Sequence, residues 1–263
     1  MSMFGAEKVK AALGKELAAR LDIRTAEITG STNNDIKELA EQGAPEGAVM
    51  IAGEQTAGKG RLGRSFYSPK DAGLYMSVLL RPRLPAGEAL SITTCAAVST
   101  AQAIDSLCGT SSGIKWVNDI YIGGRKVCGI LTESSLSQDG GMRYAVLGIG
   151  VNVADYGFPD DIRNKAGAVG GDPELRPLIA AGILTRFFAY YAELPGKTYM
   201  DEYRRCSVLT GRLIEYERGG SLYSGTVEGI ADDASLIVRG SDGTVKYLSS
   251  GEVNIKGTSK NPI

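Results

Sequence analysis

The sequence predicts an α+β protein in two parts, a large part that mixes helices with strands and a small part made of strands alone. Up to about residue 206, apolar residues at helical spacing alternate with short apolar runs of strand length. From Gly211 onward, short alternating segments are separated by Gly, Asp and Ser turns, which is typical of a small β-barrel of about 50 residues. We expect the boundary near residues 207–210, which gives domains 1–207 and 208–263.

Five segments are predicted to be helical. The first is amphipathic and rich in Ala and Lys, and the second follows a cluster of capping residues, Ser31 to Asp35, and ends before Gly43 and Pro45. The third has apolar spacing and a high Ala content, which favours a long buried helix. The predicted helices are 1–20, 36–40, 90–107, 175–191 and 199–206.

The predicted strands are short apolar or alternating runs bounded by turn residues. A Gly123-Gly124 turn joins two of them in a β-meander. The strands of the large part are 48–52, 74–80, 114–117, 120–122, 126–132 and 144–153. Those of the small part are 213–216, 222–230, 236–238 and 245–248.

The composition excludes several classes of function. The chain has no histidine, which removes Ser-His-Asp and Cys-His catalysis and His-ligated metal sites. A formal net charge of −1 does not suggest a broad nucleic-acid or membrane field. No apolar run approaches the roughly 20 residues that span a bilayer, and the N-terminus lacks the apolar middle of a signal peptide. A cytoplasmic location with free thiols is expected, because no CxxC pair occurs among Cys95, Cys108, Cys128 and Cys206.

A glycine-rich basic loop from Gly53 to Arg64 is the first candidate site. Its segment GEQTAGKG nearly matches the phosphate-binding P-loop, but Gly60 stands where a Ser or Thr should hold magnesium. GKGRLG matches the dinucleotide fingerprint GxGxxG, but no helix is predicted after either match. The glycines would let backbone N–H groups approach an anion that the side chains of Lys59, Arg61 and Arg64 surround. We interpret the segment as a phosphate-binding loop, with a solvated basic turn as the alternative.

Three ordered motifs between Ser31 and Val153 resemble those of the biotin–protein ligase family. They read GEQTAGKGRLGR followed by SFYSPKDAGLYMSVLL, then KWVNDIYIGGRKVCGILTE, then LGIGVNV. The segment ending in LSSGEV is similar to that family's SH3-like C-terminal domain. The resemblance implies a mixed β-sheet flanked by helices, similar to the class II aminoacyl-tRNA synthetase core, plus a small SH3-like β-barrel. Because only about 25 residues precede the region that carries the catalytic motifs, too few for the winged helix of many members, we expect the monofunctional form without DNA binding.

The sequence departs from the family pattern at three positions. Lys59 stands where the family commonly has Arg, Val117 where it has Pro, and Phe66 where it has Trp. Lysine keeps the charge but loses bidentate geometry, so ligand affinity is expected to differ while the chemistry survives.

The resemblance implies an ATP-dependent biotin–[acetyl-CoA-carboxylase] ligase. Biotin and ATP would form biotinoyl-5′-AMP with Mg²⁺, and the biotinoyl group would pass to a lysine of a biotin carboxyl carrier protein domain of a biotin-dependent carboxylase. A homodimer is compatible with the resemblance, and no nucleic-acid or membrane partner is expected. A lipoate–protein ligase and a non-catalytic biotin or adenylate sensor stay open as alternatives.

The first step brings two anions together, so cations and N–H dipoles are the groups it requires. By resemblance, Lys126 lies beside the carboxylate and the α-phosphate, Lys115 and Arg64 bind phosphate, and Asp119 holds Mg²⁺ and assists deprotonation of the carrier amine. The predicted catalytic residues are Lys126, Arg61, Lys115, Arg64 and Asp119. The predicted ligand-binding residues are Ser31, Thr32, Asn33, Gln55, Gly58, Lys59, Gly60, Arg61, Phe66, Lys126, Gly129 and Asn152.

Within that set, Ser31, Thr32, Asn33 and Gln55 are expected to bind the ureido ring of biotin, which needs both donors and acceptors at short range. A plain helix N-cap is the alternative for the first three. Trp116 is expected to be a core residue.

Overall fold

The computed structural model of the protein describes residues 5–85, 88–138, 140–155 and 157–256. The helices are α1 (Ala6–Ala12), α2 (Lys15–Arg20), α3 (Thr32–Glu41), α4 (Ala89–Cys108), α5 (Arg176–Ala192) and α6 (Met200–Arg205). The strands are β1 (Asp22–Thr29), β2 (Ala48–Gln55), β3 (Gly73–Leu80), β4 (Gly113–Lys115), β5 (Asp119–Ile122), β6 (Arg125–Leu136), β7 (Met142–Asn152), β8 (Leu213–Arg218), β9 (Ser221–Ile230), β10 (Leu236–Gly240), β11 (Val245–Leu248) and β12 (Val253–Ile255).

A seven-stranded mixed sheet forms the centre of the first part. Its strand order is β1-β2-β3-β7-β6-β5-β4, in which β1 and β2 are parallel and the other neighbours are antiparallel. Helix α3 packs on one face, where Ile36 clusters with Leu79, and α4 and α5 cover the other face. Because helices cover both faces, all eight residues of β3 are buried, which explains its nearly continuous apolar sequence.

A five-stranded antiparallel sheet forms the second part, in the order β11-β10-β9-β8-β12. Its apolar side chains belong to the same buried core as those of the first sheet. Trp116 is buried, as expected, and its Nε1 donates a 2.8 Å hydrogen bond to the carbonyl oxygen of Ala234 in the second part. The antiparallel small part is confirmed, while its closure into a barrel stays a prediction.

The predicted strands and the long helices are confirmed, with shifted ends. The N-terminal segment differs, because the described part of it forms two short helices separated at Leu13, which is extended (ψ 153°) ahead of Gly14. Glycine is a poor helix former, which explains the break; residues 1–4 lie outside the described residues. Strands β1 and β12 were not predicted.

Two further predictions from the sequence concern membrane-spanning helices and the state of the cysteines. No helix among the described residues is long and apolar enough to cross a membrane. The four cysteines are free thiols, with Cys95 and Cys128 buried and Cys108 and Cys206 half-buried.

Candidate active site

Two adjoining cavities bring most of the predicted site residues together. The first lies between the start of α3, the basic loop and strands β6 and β7, and the second between the basic loop, the β4–β5 segment and residues 251–253. Predicted residues that line the first cavity are Ser31, Thr32, Asn33, Gln55, Lys59, Gly60, Arg61, Phe66, Lys126 and Gly129. Those that line the second are Gly60, Arg61, Arg64, Phe66, Lys115, Asp119 and Lys126. Gly60, Arg61, Phe66, Asn118 and Lys126 line both, so two of the cations, Arg61 and Lys126, lie on the shared wall.

The first turn of α3 supplies the polar wall of the first cavity. Ser31, Thr32 and Asn33 are each at most 5% exposed, and the Ser31 side chain makes no capping hydrogen bond. The backbone N–H of Thr32 donates instead to Oε1 of Gln55 on β2, at 2.9 Å. Gln55 satisfies this backbone donor, so Ser31 does not act as a plain N-cap, and all three side chains line the cavity.

Phe66 lies on a floor made by two paired glycines. Gly129 on β6 and Gly150 on β7 are opposite each other in the sheet register. A Cβ added at Gly150 would lie 2.5 Å from Cε1 of Phe66, and one added at Gly129 would lie 3.1 Å from Cε2. Glycine is therefore required for the ring to approach the sheet. The ring also packs edge-on against Tyr75, with a centroid distance of 6.5 Å.

The basic loop folds back on itself as a ribbon and not as the start of a helix. Lys59 and Ser65 form an antiparallel bridge, and the N–H of Gly60 donates to the carbonyl oxygen of Arg64 at 2.7 Å. Only a three-residue 3-10 turn, Arg61–Gly63, lies between them. This geometry fits neither a P-loop nor a dinucleotide-binding turn, both of which place phosphate at a helix N-terminus.

Each cation of the loop has a protein acceptor. Nη1 of Arg61 donates to Oδ1 of Asn118 at 2.9 Å. Arg64 makes a bidentate pair with Glu252 at 2.7 and 2.5 Å. Nζ of Lys59 lies 2.5 Å from Oδ1 of Asn34 and 3.8 Å from Oε1 of Glu133. An incoming anion must therefore compete with these contacts, which selects for multiply charged ligands such as phosphates.

Lys126 and Lys115 bring further positive charge to the second cavity. Nζ of Lys126 lies 2.7 Å from Oδ1 of Asp119, which also accepts a 2.9 Å hydrogen bond from Nδ2 of Asn118. Burial lowers the pKa of Lys115, while the charge of Asp119 acts in the opposite direction. Lys115 is half-buried near the carboxylate of Asp119, and electrostatic interactions in such a position are stronger than in water.

The donor set around Asp119 fits a cation held chiefly by its substrate. Among the described residues, no three His, Cys, Asp or Glu side chains cluster into a site that could hold a metal ion. Mg²⁺ commonly needs only one or two protein carboxylates when substrate phosphates complete its shell. Asp119, which lines the second cavity, meets that requirement.

Two predicted binding residues line neither cavity within the described part of the chain. At Gly58 an added Cβ would lie 2.5 Å from the carbonyl oxygen of Phe66, so this glycine is needed for packing of the loop. Nδ2 of Asn152 donates to the carbonyl oxygen of Gly167 at 2.9 Å. Their ligand contacts stay predictions.

The sequence reasoning missed other lining residues. Asn118 lies inside the recognised KWVND motif, and its position between two proposed site residues could have identified it. No local sequence pattern indicated that Glu252 belongs to the site, because its partner Arg64 lies 188 positions away in the sequence.

The mixed sheet with two joined cavities, one with a polar wall and one with a cationic wall, is the arrangement to compare with known families. The Biotin/lipoate A/B protein ligase family matches residues 25–152. The Biotin protein ligase C terminal domain family matches residues 211–255.

Three individual relatives are similar to this chain over most of its length. A biotin–[acetyl-CoA-carboxylase] ligase of Paracoccus denitrificans is 35% identical, over 82% of this chain and 93% of that protein. The bifunctional ligase/repressor BirA of Bacillus spizizenii is 32% identical, over 85% of this chain and 71% of that protein. A biotin protein ligase from Aquifex aeolicus, solved in complex with biotin and ATP, shares the fold with a TM-score of 0.75 and 24% identity, covering 89% of this chain and 98% of that one. This chain belongs to the biotin protein ligase family.

Proposed function

We propose that this protein is a biotin–[acetyl-CoA-carboxylase] ligase, which forms biotinoyl-5′-AMP from biotin and ATP and transfers biotin to a lysine of a biotin carboxyl carrier protein domain. The observation that carries the proposal is the pair of adjoining cavities, one with a buried polar wall and one with a cationic wall, which share Arg61 and Lys126. The named ligase of Paracoccus denitrificans supports the same activity.

The first half-reaction joins biotin to the α-phosphate of ATP. A biotin carboxylate oxygen attacks the α-phosphorus, and the bond to the bridging oxygen of pyrophosphate breaks. The carboxylate needs no general base, so the main barrier is repulsion between two anions. We assign Lys126 and Arg61, which line both cavities, to offset that repulsion. Binding of the ureido ring is assigned to Ser31, Thr32, Asn33 and Gln55.

The second half-reaction transfers the biotinoyl group to an amine. The carrier lysine attacks the carbonyl carbon of the mixed anhydride, and AMP leaves. The chain has no histidine to take the amine proton. We assign that assistance to Asp119, whose carboxylate lines the second cavity beside Lys126.

The nucleotide phosphates belong in the second cavity in this scheme. Lys115 and Arg64 line it and are assigned to phosphate contacts. Asp119 would provide the protein ligand to Mg²⁺, which supplies neutralisation of phosphate charge when bound.

The assembly and setting are also proposals. We divide the chain into a catalytic domain, 1–207, and a C-terminal domain, 208–263. A cytoplasmic homodimer is proposed, in which edge strand β1 of the catalytic sheet exposes Ile28. The near-neutral charge favours a protein partner over nucleic acid.

Intact mass spectrometry of a carrier domain tests the proposed function. The protein is incubated with Mg²⁺-ATP, biotin and the carrier, with lipoate as a parallel substrate. A gain of one biotinoyl group that requires ATP is the expected result. A gain with lipoate only would identify a lipoate–protein ligase, and tight biotin binding without any gain would identify a sensor. Omitting Mg²⁺ in the presence of EDTA should abolish the gain.

A further inference from the structure

A chain of hydrogen bonds runs beneath the first cavity and links three elements of the fold. Oγ1 of Thr32 on α3 lies 2.7 Å from Oγ of Ser77 on β3. Oγ of Ser77 lies 2.6 Å from Oδ1 of Asn33, and Nδ2 of Asn33 lies 2.8 Å from Oε2 of Glu133 on β6. Thr32 and Asn33 line the cavity, whereas Ser77 and Glu133 are not among its described lining residues.

The carboxylate of Glu133 fixes the direction of every donor in this chain. An ionised carboxylate only accepts hydrogen bonds, so the amide nitrogen of Asn33 must face Glu133 and its oxygen must face Ser77. Ser77 then donates its single hydroxyl hydrogen to Oδ1 of Asn33. The hydrogen of the 2.7 Å contact must therefore come from Thr32. Oγ1 of Thr32 also lies 3.1 Å from Oε1 of Gln55, which is farther than its 2.7 Å distance to Ser77. Oε1 of Gln55 already accepts a hydrogen bond from the backbone N–H of Thr32, so the Thr32 hydroxyl hydrogen is assigned to Ser77.

The result is a defined polarity at the cavity wall. Because the Thr32 hydroxyl hydrogen is committed to Ser77, Oγ1 of Thr32 presents only lone pairs to a ligand. An acceptor at this position suits the N–H of a ureido ring and opposes a ligand oxygen.

We infer that Ser77 and Glu133 are positioning residues that make Thr32 an acceptor and thereby select a ligand N–H group at this wall. This inference rests on the proposed function, since it assigns the N–H to the ureido ring of biotin. Neither residue is a catalytic residue in this scheme.

The position of Ser77 supports this role over a packing role. Ser77 is fully buried in a strand whose other side chains are mostly apolar, and burying a hydroxyl there is costly unless it is hydrogen-bonded. Its side-chain partners are the two cavity residues Thr32 and Asn33. Ser99 on α4 is equally buried but bonds the carbonyl oxygen of Cys95 one turn earlier, the usual local solution in a helix.

Four variants of the full chain test the inference. Ser77→Ala removes the link, and Glu133→Gln keeps the shape of the side chain but allows it to donate or accept. Ser99→Ala is the matched control for a buried serine. Glu228→Gln is the matched control for a strand glutamate paired with a cation, since Glu228 pairs with Arg239.

The readouts separate positioning from folding. Biotin KM, ATP KM and Tm are measured for each variant, together with the preference for biotin over cyclic carbamate analogues in which either ureido N–H is replaced by oxygen. For Ser77→Ala and Glu133→Gln, we expect biotin KM to rise about tenfold, because the orientation of Thr32 and Asn33 is no longer fixed. ATP KM should change little in Ser77→Ala; Glu133→Gln also removes the contact with Lys59, so that variant is judged by biotin KM and by the carbamate preference. The preference for biotin over one of the carbamates should fall by about tenfold as well, because Thr32 becomes free to donate. The two controls should match the wild type.

Each outcome bears on the inference. Unchanged biotin KM and unchanged carbamate preference in both variants would overturn it, and so would a fall in Tm with equal rises in both KM values. If Ser77→Ala does not fold, Glu133→Gln decides the question, since its side chain is a third exposed (33%) and tolerates the change. A wild-type protein that adds no biotin to the carrier would instead refute the proposed function.

Discussion

Substitution of Gly150 by alanine tests whether the glycine floor holds Phe66 in its place between the two cavities. The added Cβ would lie 2.5, 2.7 and 3.0 Å from three ring atoms of Phe66, whereas carbon atoms pack at about 3.5–4.0 Å. The ring must therefore move by about 1 Å, and overpacking of this kind typically costs about 1–3 kcal/mol. Because the ring lines both cavities, biotin KM and ATP KM should both rise, by about 5- to 150-fold if the full cost falls on binding.

The assay measures both KM values by pyrophosphate release, together with the thermal melting temperature. Gly229→Ala on β9 is the control, because a Cβ there has no neighbour within 4 Å. It should leave activity unchanged. If Gly150→Ala has wild-type KM values for both substrates, the ring is not held by the glycine floor and the reasoning fails.

Three further predictions concern the cations of the site. Lys126→Met should lower the rate of adenylate formation by about 10²–10³-fold, since two charges about 4 Å apart interact by about 4 kcal/mol at an intermediate dielectric; an unchanged rate of pyrophosphate release would contradict this. Glu252→Gln removes the exposed Arg64 pair and should lower Tm by no more than about 3 °C in calorimetry, because such pairs contribute little; a larger fall would indicate a structural role. Because burial lowers the pKa of Lys115, its charge is lost at a lower pH than that of an exposed lysine, so ATP KM should rise early on the alkaline side. Arginine stays charged at alkaline pH, so the Lys115→Arg variant should not show this alkaline rise of ATP KM. The same rise in the variant and in the wild type would exclude Lys115 as its cause.

Local patterns were sufficient for much of the fold. The predicted helix 90–107 is observed as Ala89–Cys108, because a long Ala-rich apolar sequence has few other ways to be buried. The end of strand β3 at Leu80, shortly before Pro82, was also predictable, since proline cannot continue a ladder.

Other elements depend on partners that are distant in sequence. Strand β1 mixes exposed polar residues with Ile23, and it becomes a strand because it pairs in parallel with β2 from Asp22 to Thr29. Parallel pairing leaves no turn signature in the sequence, because the connection between the two strands is a helix. For this reason its periodicity alone did not identify it.

The sequence by itself determined which residue types are available for the chemistry. The motifs placed Lys126, Arg61 and the Ser31–Asn33 cluster in one site, and the absence of histidine limited the possible bases. The tertiary structure alone decided the hydrogen-bond partners of these groups. Ser77 joins Thr32 to Asn33, and Glu252 pairs with Arg64, only because the folded sheets bring them within about 3 Å. Hydrogen bonds act over such short distances that their partners are fixed by packing and not by local sequence.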